Sequence, residues 1–272
     1  MKLYIVATPI GNLSDMSERA VSVLREVDFI AAEDTRHTLK LLNHFGISKP
    51  MTSYFEHNRR EKGEIIVKRI LSGETAALVS DAGTPAVSDP GEELVDLCFE
   101  NHIDVIPVPG PCAAISALSA CGLPTGRFCF EGFLTMNRSS RREHLQSLKN
   151  ERRTLIFYEA PHKLLSTLRD FYEVFGDRRL TLARELTKIH EQIVRTTVGA
   201  AVAHYEETSP KGEFVLVLEG AAEEEKTFDQ TPKEQLAELI ASGVDKKEAI
   251  RQVARERGVP KREIYALTVE DD

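Results

Sequence analysis

Residues 78–91 read LVSDAGTPAVSDPG, and what surrounds this stretch decides the fold. An apolar run from Thr75 to Ser80 ends in two Ser-Asp pairs, two prolines and two glycines, and apolar periodicity resumes only at Leu94. Gly83, Pro85, Pro90 and Gly91 interrupt both helix and strand, so the segment predicts strand, long shaped loop, helix. α/β proteins place ligands at loops that follow the carboxyl ends of sheet strands. A solvated connector would use the same turn-forming residues. Similar punctuated loops, however, end other strand candidates in this chain.

Working outward toward the N-terminus, Lys2 to Thr8 predicts a strand followed by the loop Pro9-Ile10-Gly11-Asn12. Asp15 and Glu18 have capping-box spacing for a helix to about Glu26. Val27 to Ala32 predicts a second strand, stopping at Glu33-Asp34-Thr35-Arg36. Helices over 38–45 and 61–71 flank a short strand over 51–55. Toward the C-terminus come a helix to about Asn101, a strand over 103–108, the break Pro109-Gly110-Pro111 and a small-residue helix over 113–120. This alternation implies an N-terminal α/β domain, residues 1–122, with a mostly parallel sheet covered on both faces.

Residues 123–221 predict a second α/β domain. Its strand candidates lie at 127–133, 154–158, 180–184, 190–196 and 214–218, with helices notably over 139–148 and 162–175. Some connections are short, which favours antiparallel pairing. Residues 221–231 are acidic and patternless and predict a linker. The module at 232–272 contains three short helical segments, over 233–241, 246–257 and 261–267. In the second, Ala249, Ile250, Val253 and Ala254 share one face, while Lys247, Arg251 and Arg255 recur at helical spacing on another. A helix-turn-helix gripping a phosphate backbone fits this layout, and so does a plain three-helix packing appendage.

The 272 residues are 42% hydrophobic and 29% charged, as expected of a soluble protein that buries a sizeable core. No signal-peptide pattern and no bilayer-length apolar run is present, so a cytoplasmic protein with no membrane partner is expected. Four cysteines without a C-x-x-C predict free thiols, and neither Cys nor His spacing suggests a metal site. The formal net charge of -8 argues against a surface that is basic throughout. Three segments run the other way: residues 57–69 carry five Lys/Arg against two Glu, 136–153 six against two, and 246–262 seven against two. Local charges of +3, +4 and +5 make a polyanionic partner plausible.

Neither G-x-G-x-x-G, G-x-x-x-x-G-K-[ST] nor G-x-S-x-G occurs at a fitting place. What remains are Gly/Pro loops that let main-chain groups approach a flat ligand such as a nucleoside. Eight motifs in order then carry a resemblance: VATPIGN at 6–12, AEDTRHT at 32–38, LVSDAGTPAVSDPG at 78–91, PGPCAAISALSACGLPT at 109–125, FEGFL at 130–134, FYEAPHKL at 157–164, ARELTKIHE at 183–191 and KGEFVLVLEG at 211–220. Together they resemble the 16S ribosomal RNA (cytidine-2′-O)-methyltransferase branch of the tetrapyrrole methylase family. The family more often has Ser at the position of Cys112 and Pro at that of Thr135.

The resemblance implies two α/β domains with S-adenosyl-L-methionine in the cleft between them, a homodimer, and 16S rRNA of the small ribosomal subunit as substrate. It assigns cofactor binding to Pro9, Ile10, Ser80, Asp81, Ala82, Gly83, Thr84, Gly110, Pro111, Cys112 and Ala113, with further contacts from Tyr158, Glu159, Ala183, Arg184, Lys211 and Gly212. Methyl transfer to a ribose hydroxyl needs no metal. Glu185, Lys188 and Glu213, in loops of the second domain, are candidates for handling the hydroxyl proton; Glu185 and Lys188 equally suit a structural ion pair. Asp34 and Arg36 suit either RNA positioning or pairing with each other, and Lys247, Arg251 and Arg255 are the RNA-binding candidates of the tail. Two rivals stand beside this reading. A tetrapyrrole C-methyltransferase of the same fold has no evident use for the basic tail, and a non-catalytic RNA-binding protein leaves the elaborate loops unexplained.

Overall fold

Strands with few polar residues need cover on both faces, and the first sheet supplies it at its centre. In the computed structural model, which describes residues 1–223 and 230–267, β1 (Lys2–Val6), β2 (Phe29–Ala32), β3 (Met51–Ser53), β4 (Thr75–Val79) and β5 (Asp104–Val108) form an all-parallel sheet. The strand order is β3-β2-β4-β1-β5. All four residues of β2 are buried, as are the last four of β4. On one face Leu3, Phe29 and Leu78 pack with Ile66 of α3 (Arg59–Leu71) and Leu94 of α4 (Glu92–Glu100). On the other, Val6, Ile30 and Val79 pack with Leu24 of α1 (Glu18–Glu26) and Leu42 of α2 (Thr35–His44).

The start of α1 differs from the capping box expected at Asp15. Asp15 lies inside a single 3-10 turn, Leu13–Asp15, and Ser17 is the cap, its hydroxyl accepting the Ala20 N–H at 3.1 Å. Ser17 is the extended residue directly before the helix, so its short side chain reaches back to the third helical amide. Ser17→Ala is expected to cost about 1 kcal/mol, read as a lowered midpoint of denaturant unfolding at unchanged slope.

The second sheet has the order β6-β7-β10-β8-β9, formed by β6 (Phe128–Phe133), β7 (Thr154–Glu159), β8 (Arg179–Arg184), β9 (Gln192–Thr197) and β10 (Phe214–Leu218). Only the β6–β7 pair is parallel. One face is covered by α6 (Arg138–Ser147), α7 (Pro161–Phe175) and α8 (Val198–Glu207), whose Leu145, Phe171 and Val198 pack with Phe157 and Leu216. The sequence pattern does not single out α8, because it follows β9 with no breaker, Thr197 serving as both last strand residue and cap. The other face bears Ile156, Ala183, Val215 and Val217. These meet Ala114, Ala117 and Leu118 of α5 (Ala113–Ala120), the last helix of the first sheet's alternation. Alanines at that contact let α5 lie close to the second sheet, and Met1–Ala221 is accordingly one compact unit.

A second unit lies within Ala222–Asp272. Residues 224–229 of the expected linker fall outside those described. Here α9 (Pro232–Ala241), α10 (Lys246–Arg257) and α11 (Lys261–Ala266) enclose Leu236, Ala249, Ile250, Val253, Ala254 and Ile264. Thr231 and Glu234 form a capping box on α9, Asp245 caps α10, and Gly258 ends α10 in the left-handed region at φ 68°. Among the described residues no helix is long and apolar enough to cross a membrane.

Candidate active site

Because β2 and β4 are neighbours in a parallel sheet, the loops that follow them leave side by side. The Asp34 N–H donates to Asp81 Oδ1 at 3.2 Å, and the Asp81 N–H to Glu33 Oε2 at 3.4 Å. The loop after β1 joins them: Thr8 and Gly83 exchange main-chain hydrogen bonds of 2.8 and 3.0 Å. From the loop after β5, the Pro111 carbonyl accepts the Thr84 hydroxyl at 3.1 Å. Gly83, at φ 83°, is a conformation side-chain-bearing residues avoid, and a Cβ there would stand 3.4 Å from Ile10 Cγ2. Four loops thus converge at the carboxyl edge of the first sheet and face the second sheet across a cleft of about 340 Å³.

Of the expected cofactor residues, Ile10, Asp81, Ala82, Gly83, Thr84, Cys112, Ala113, Tyr158, Glu159 and Ala183 line this cleft. Pro9 lines an adjoining recess. Ser80, Gly110, Pro111, Arg184, Lys211 and Gly212 do not line the main cleft. Some of these shape it from behind. Ser80 is buried and its hydroxyl donates to the Ala82 carbonyl at 3.4 Å; a Cβ on Gly110 would lie 2.9 Å from that of Ala7. Gly212 sits under Glu185, whose side chain an added Cβ would overlap. Tyr158 is fixed by the Ala114 N–H, which donates to its hydroxyl at 3.1 Å, and burial pushes its pKa up to about 12.

Sequence reasoning did not single out two carboxylates here, Glu33 and Asp89. Burial raises the pKa of Glu33, and the charges of Asp89, Asp81 and Asp34 add to the rise against the Asp81 amide. Burial likewise raises Asp89, outweighing a hydrogen bond from Ser80. With Asp81 they line one cleft, a concentration of negative charge suited to a cationic ligand. Among the described residues no group of three or more His, Cys, Asp or Glu side chains is arranged to hold a metal ion.

The three proton-handling candidates come together as an ion triad. Lys188 Nζ donates to Glu185 Oε1 and Glu213 Oε2, both at 2.9 Å, and Glu185 Oε1 also accepts the Glu213 N–H at 3.0 Å. That amide, more than Lys188, lowers the Glu185 pKa. Burial works against the charge of Lys188, but the hydrogen bonds to Glu185 and Glu213 outweigh it and raise its pKa. Glu185 and Lys188 thus form the ion pair that was one of the two readings open to them, with Glu185 made less basic and Lys188 kept charged. Glu213, whose side chain is 80% exposed, is the member open to a substrate.

Asp34 and Arg36 also pair with each other, Arg36 donating from Nε at 3.0 Å and Nη2 at 2.7 Å. Asp34 caps α2 through the Arg36 N–H at 2.8 Å, and the Arg36 side chain leads the causes that lower its pKa. The first two basic segments are muted in the same way. Arg59 and Arg69 pair with Glu93 and Glu74, Arg141 and Arg142 with Asp170 and Glu173, Arg153 with Glu151. In the tail, Lys247, Arg251 and Arg255 are all exposed on α10, away from its buried face. Arg251 pairs with Glu248 at 3.0 Å. The recess beside the cleft adds His37 and Lys40 of α2, which sequence reasoning passed over.

Comparison with known proteins fits this geometry. Residues 2–202 match the family described as Tetrapyrrole (Corrin/Porphyrin) Methylases. The chain belongs to the tetrapyrrole methylases. Within that family it is 51% identical to the Ribosomal RNA small subunit methyltransferase I of Synechocystis sp., over 98% of this chain and 97% of that one. It is 47% identical to the protein of the same name from Escherichia coli O157:H7, over 99% and 95%. Among solved structures, a uroporphyrin-III C-methyl transferase from Thermus thermophilus, complexed with S-adenyl homocysteine, superposes with a TM-score of 0.57 at 17% identity, covering 80% of this chain and 97% of that one. At that identity the superposition establishes the methylase fold.

Proposed function

We propose that this tetrapyrrole methylase transfers a methyl group from S-adenosyl-L-methionine to the ribose 2′-hydroxyl of a cytidine in 16S rRNA of the small ribosomal subunit, in the cytoplasm. The observation that carries it is identity of about half the residues, over nearly the whole chain including the three-helix tail, to rRNA methyltransferases. The cleft's residues fit the cofactor. Main-chain loops at Gly83 and Cys112 offer close approach, Ile10, Leu186 and Val215 offer apolar cover, and Glu33, Asp81 and Asp89 offer negative charge.

When bound, the cofactor supplies an electrophilic methyl group on a positively charged sulfur. The chain's own residues then have three tasks. The carboxylates hold the cation, and the cleft walls orient the reacting groups. The Glu185–Lys188–Glu213 triad fixes the loop that faces Ile10 and Gly11, leaving Glu213 to accept the proton released as the ribose oxygen gains its methyl group. Positioning is the main term, since alignment of reactants can supply about 7 to 11 kcal/mol of barrier lowering.

A homodimer is part of this reading. The edge strand β9 exposes Ile193 and Val194, adjacent residues on opposite faces, and Ile189 before it is 97% exposed. An uncovered apolar edge invites a second copy. Light scattering is expected to give twice the chain mass. The function is tested by incubating the protein with labelled cofactor and small subunits from cells lacking it, then mapping the ribose methyl group. Transfer to a tetrapyrrole and not to RNA would overturn it.

A further inference from the structure

Strand β6 carries an irregularity that changes where one aromatic ring points. Phe130 stands opposite Ile156, Gly132 opposite Phe157 and Phe133 opposite Tyr158, so Glu131 is an extra residue in the ladder. In a regular strand, residues three apart lie on opposite faces. The bulge, with Gly132 at φ 61°, cancels that alternation and puts Phe130 and Phe133 on the same face. Both rings flank Tyr158, with centroids 5.0 and 5.4 Å from it in edge-to-face contact. Phe130 is partly buried. Phe133 is 57% exposed and lines the cleft.

A large apolar ring left in water costs free energy, and here it is held in place. Tyr158 is tied to the first residues of α5, so the Phe133 ring rests on an anchored neighbour. Among the described residues, Val87 is the one other exposed large hydrophobic side chain lining the cleft. Val87 belongs to the loop that approaches Gly132, since a Cβ on Gly132 would be 3.7 Å from Ser88 Oγ. Beyond Phe133 the chain passes the exposed Met136 to the exposed Arg138 at the start of α6. An anchored, half-exposed ring at the cleft, followed by a cation, is how proteins hold an unstacked base and its phosphate.

We infer that Phe133 is the platform on which the base of the target nucleotide stacks once it is turned out of the RNA. This rests on the RNA-methylating reading above. Phe133 is then a positioning residue: it holds the base so that its ribose hydroxyl lies within the cleft, and it does so without regard to base identity, because every base has a π-face.

The test uses the full chain with small subunits and with an RNA fragment spanning the mapped methylation site. Phe133→Leu is expected to lower kcat/KM for RNA by about 5- to 150-fold, the range for loss of one base–aromatic stack, with cofactor affinity at the parental value. Phe133→Tyr should restore most of it. Because the chain has no tryptophan, Phe133→Trp creates a single reporter whose fluorescence should be quenched by the fragment but not by the same fragment lacking the target base. No transfer to RNA by the parent protein overturns the functional reading and the platform with it. If the parent transfers methyl groups and Phe133→Leu matches its kcat/KM, or the abasic fragment quenches equally, the platform alone is overturned. Loss of cofactor affinity in Phe133→Leu would instead assign the ring to the cofactor pocket.

Discussion

The double substitution Glu33→Gln, Asp89→Asn is expected to stabilise the empty protein while weakening S-adenosyl-L-methionine binding by at least about 10-fold, since hydrogen bonds to charged groups contribute about 1.5 to 3 kcal/mol each. The two effects have opposite signs for one reason. Both carboxylates are held above their ordinary pKa by burial, and for Glu33 the charges of Asp89 and Asp81 add to this, so ionising them costs the folded protein free energy. A cationic ligand removes that cost, which makes the same groups unfavourable when the cleft is empty and favourable when it is filled. Relief should appear as a higher thermal midpoint without cofactor. Equal midpoints and equal cofactor affinity in parent and variant would remove both residues from the site.

The pH dependence follows from the direction of the shifts. A carboxyl group with a raised folded-state pKa contributes stability that is fully present below its ordinary pKa and is lost as pH rises through the raised value. Parent and variant should therefore have the same thermal midpoint below about pH 4, where both parental carboxyls are protonated, and should separate above it as they ionise. Comparing the pair isolates these two groups from Glu185, Glu219 and the other carboxylates whose pKa is lowered and whose contribution has the opposite sign. A gap that widened toward acid would contradict the assignment.

How much of this site the sequence disclosed depends on what brings each residue to it. The segment 78–91 was legible because its prolines and glycines interrupt an apolar run, and that information is local. Glu33 sits in an equally visible strand end, but it meets Asp81 only because β2 and β4 are neighbours, and strand order is not written in either strand. Phe133 was hidden by the bulge at Glu131. Simple alternation places it across the sheet from Phe130, and the register shift arises from pairing with β7. The capping of α1 failed at the level of a single turn, where Asp15 and Ser17 both suit a cap and only the backbone path selects between them. Local charge counts were incomplete, because the partners of Arg59, Arg141 and Arg142 lie in other segments of the sequence.

That last point singles out α10. Replacing Lys247, Arg251 and Arg255 together with neutral residues is expected to flatten the salt dependence of RNA affinity by about 2 to 2.7 logarithmic units, at about 0.7 to 0.9 per lost phosphate contact. Near 0.1 M salt this amounts to roughly a 100- to 500-fold weaker complex, with cofactor affinity unchanged. In the other two basic segments Arg69 and Arg141 are committed to partly buried pairs with Glu74 and Asp170, whereas these three side chains stand exposed beside a fully apolar buried face. Arg251 does pair with Glu248, but both are more than half exposed, and a surface pair of that kind gives way readily to a phosphate. Ala249, Ile250, Val253 and Ala254 already fill the bundle's own core, so the basic face has no packing task within this unit. The alternative is an appendage that serves assembly, its charges merely solvated. In that case the triple variant keeps the parental RNA affinity at every salt concentration, and deleting residues 232–272 changes the oligomeric mass instead. Titrating RNA at several salt concentrations, with mass measured on the same samples, separates the two. An unchanged slope in a correctly assembled triple variant would transfer the task of holding RNA to the body, where Arg36, His37 and Lys40 at α2 would be next to replace.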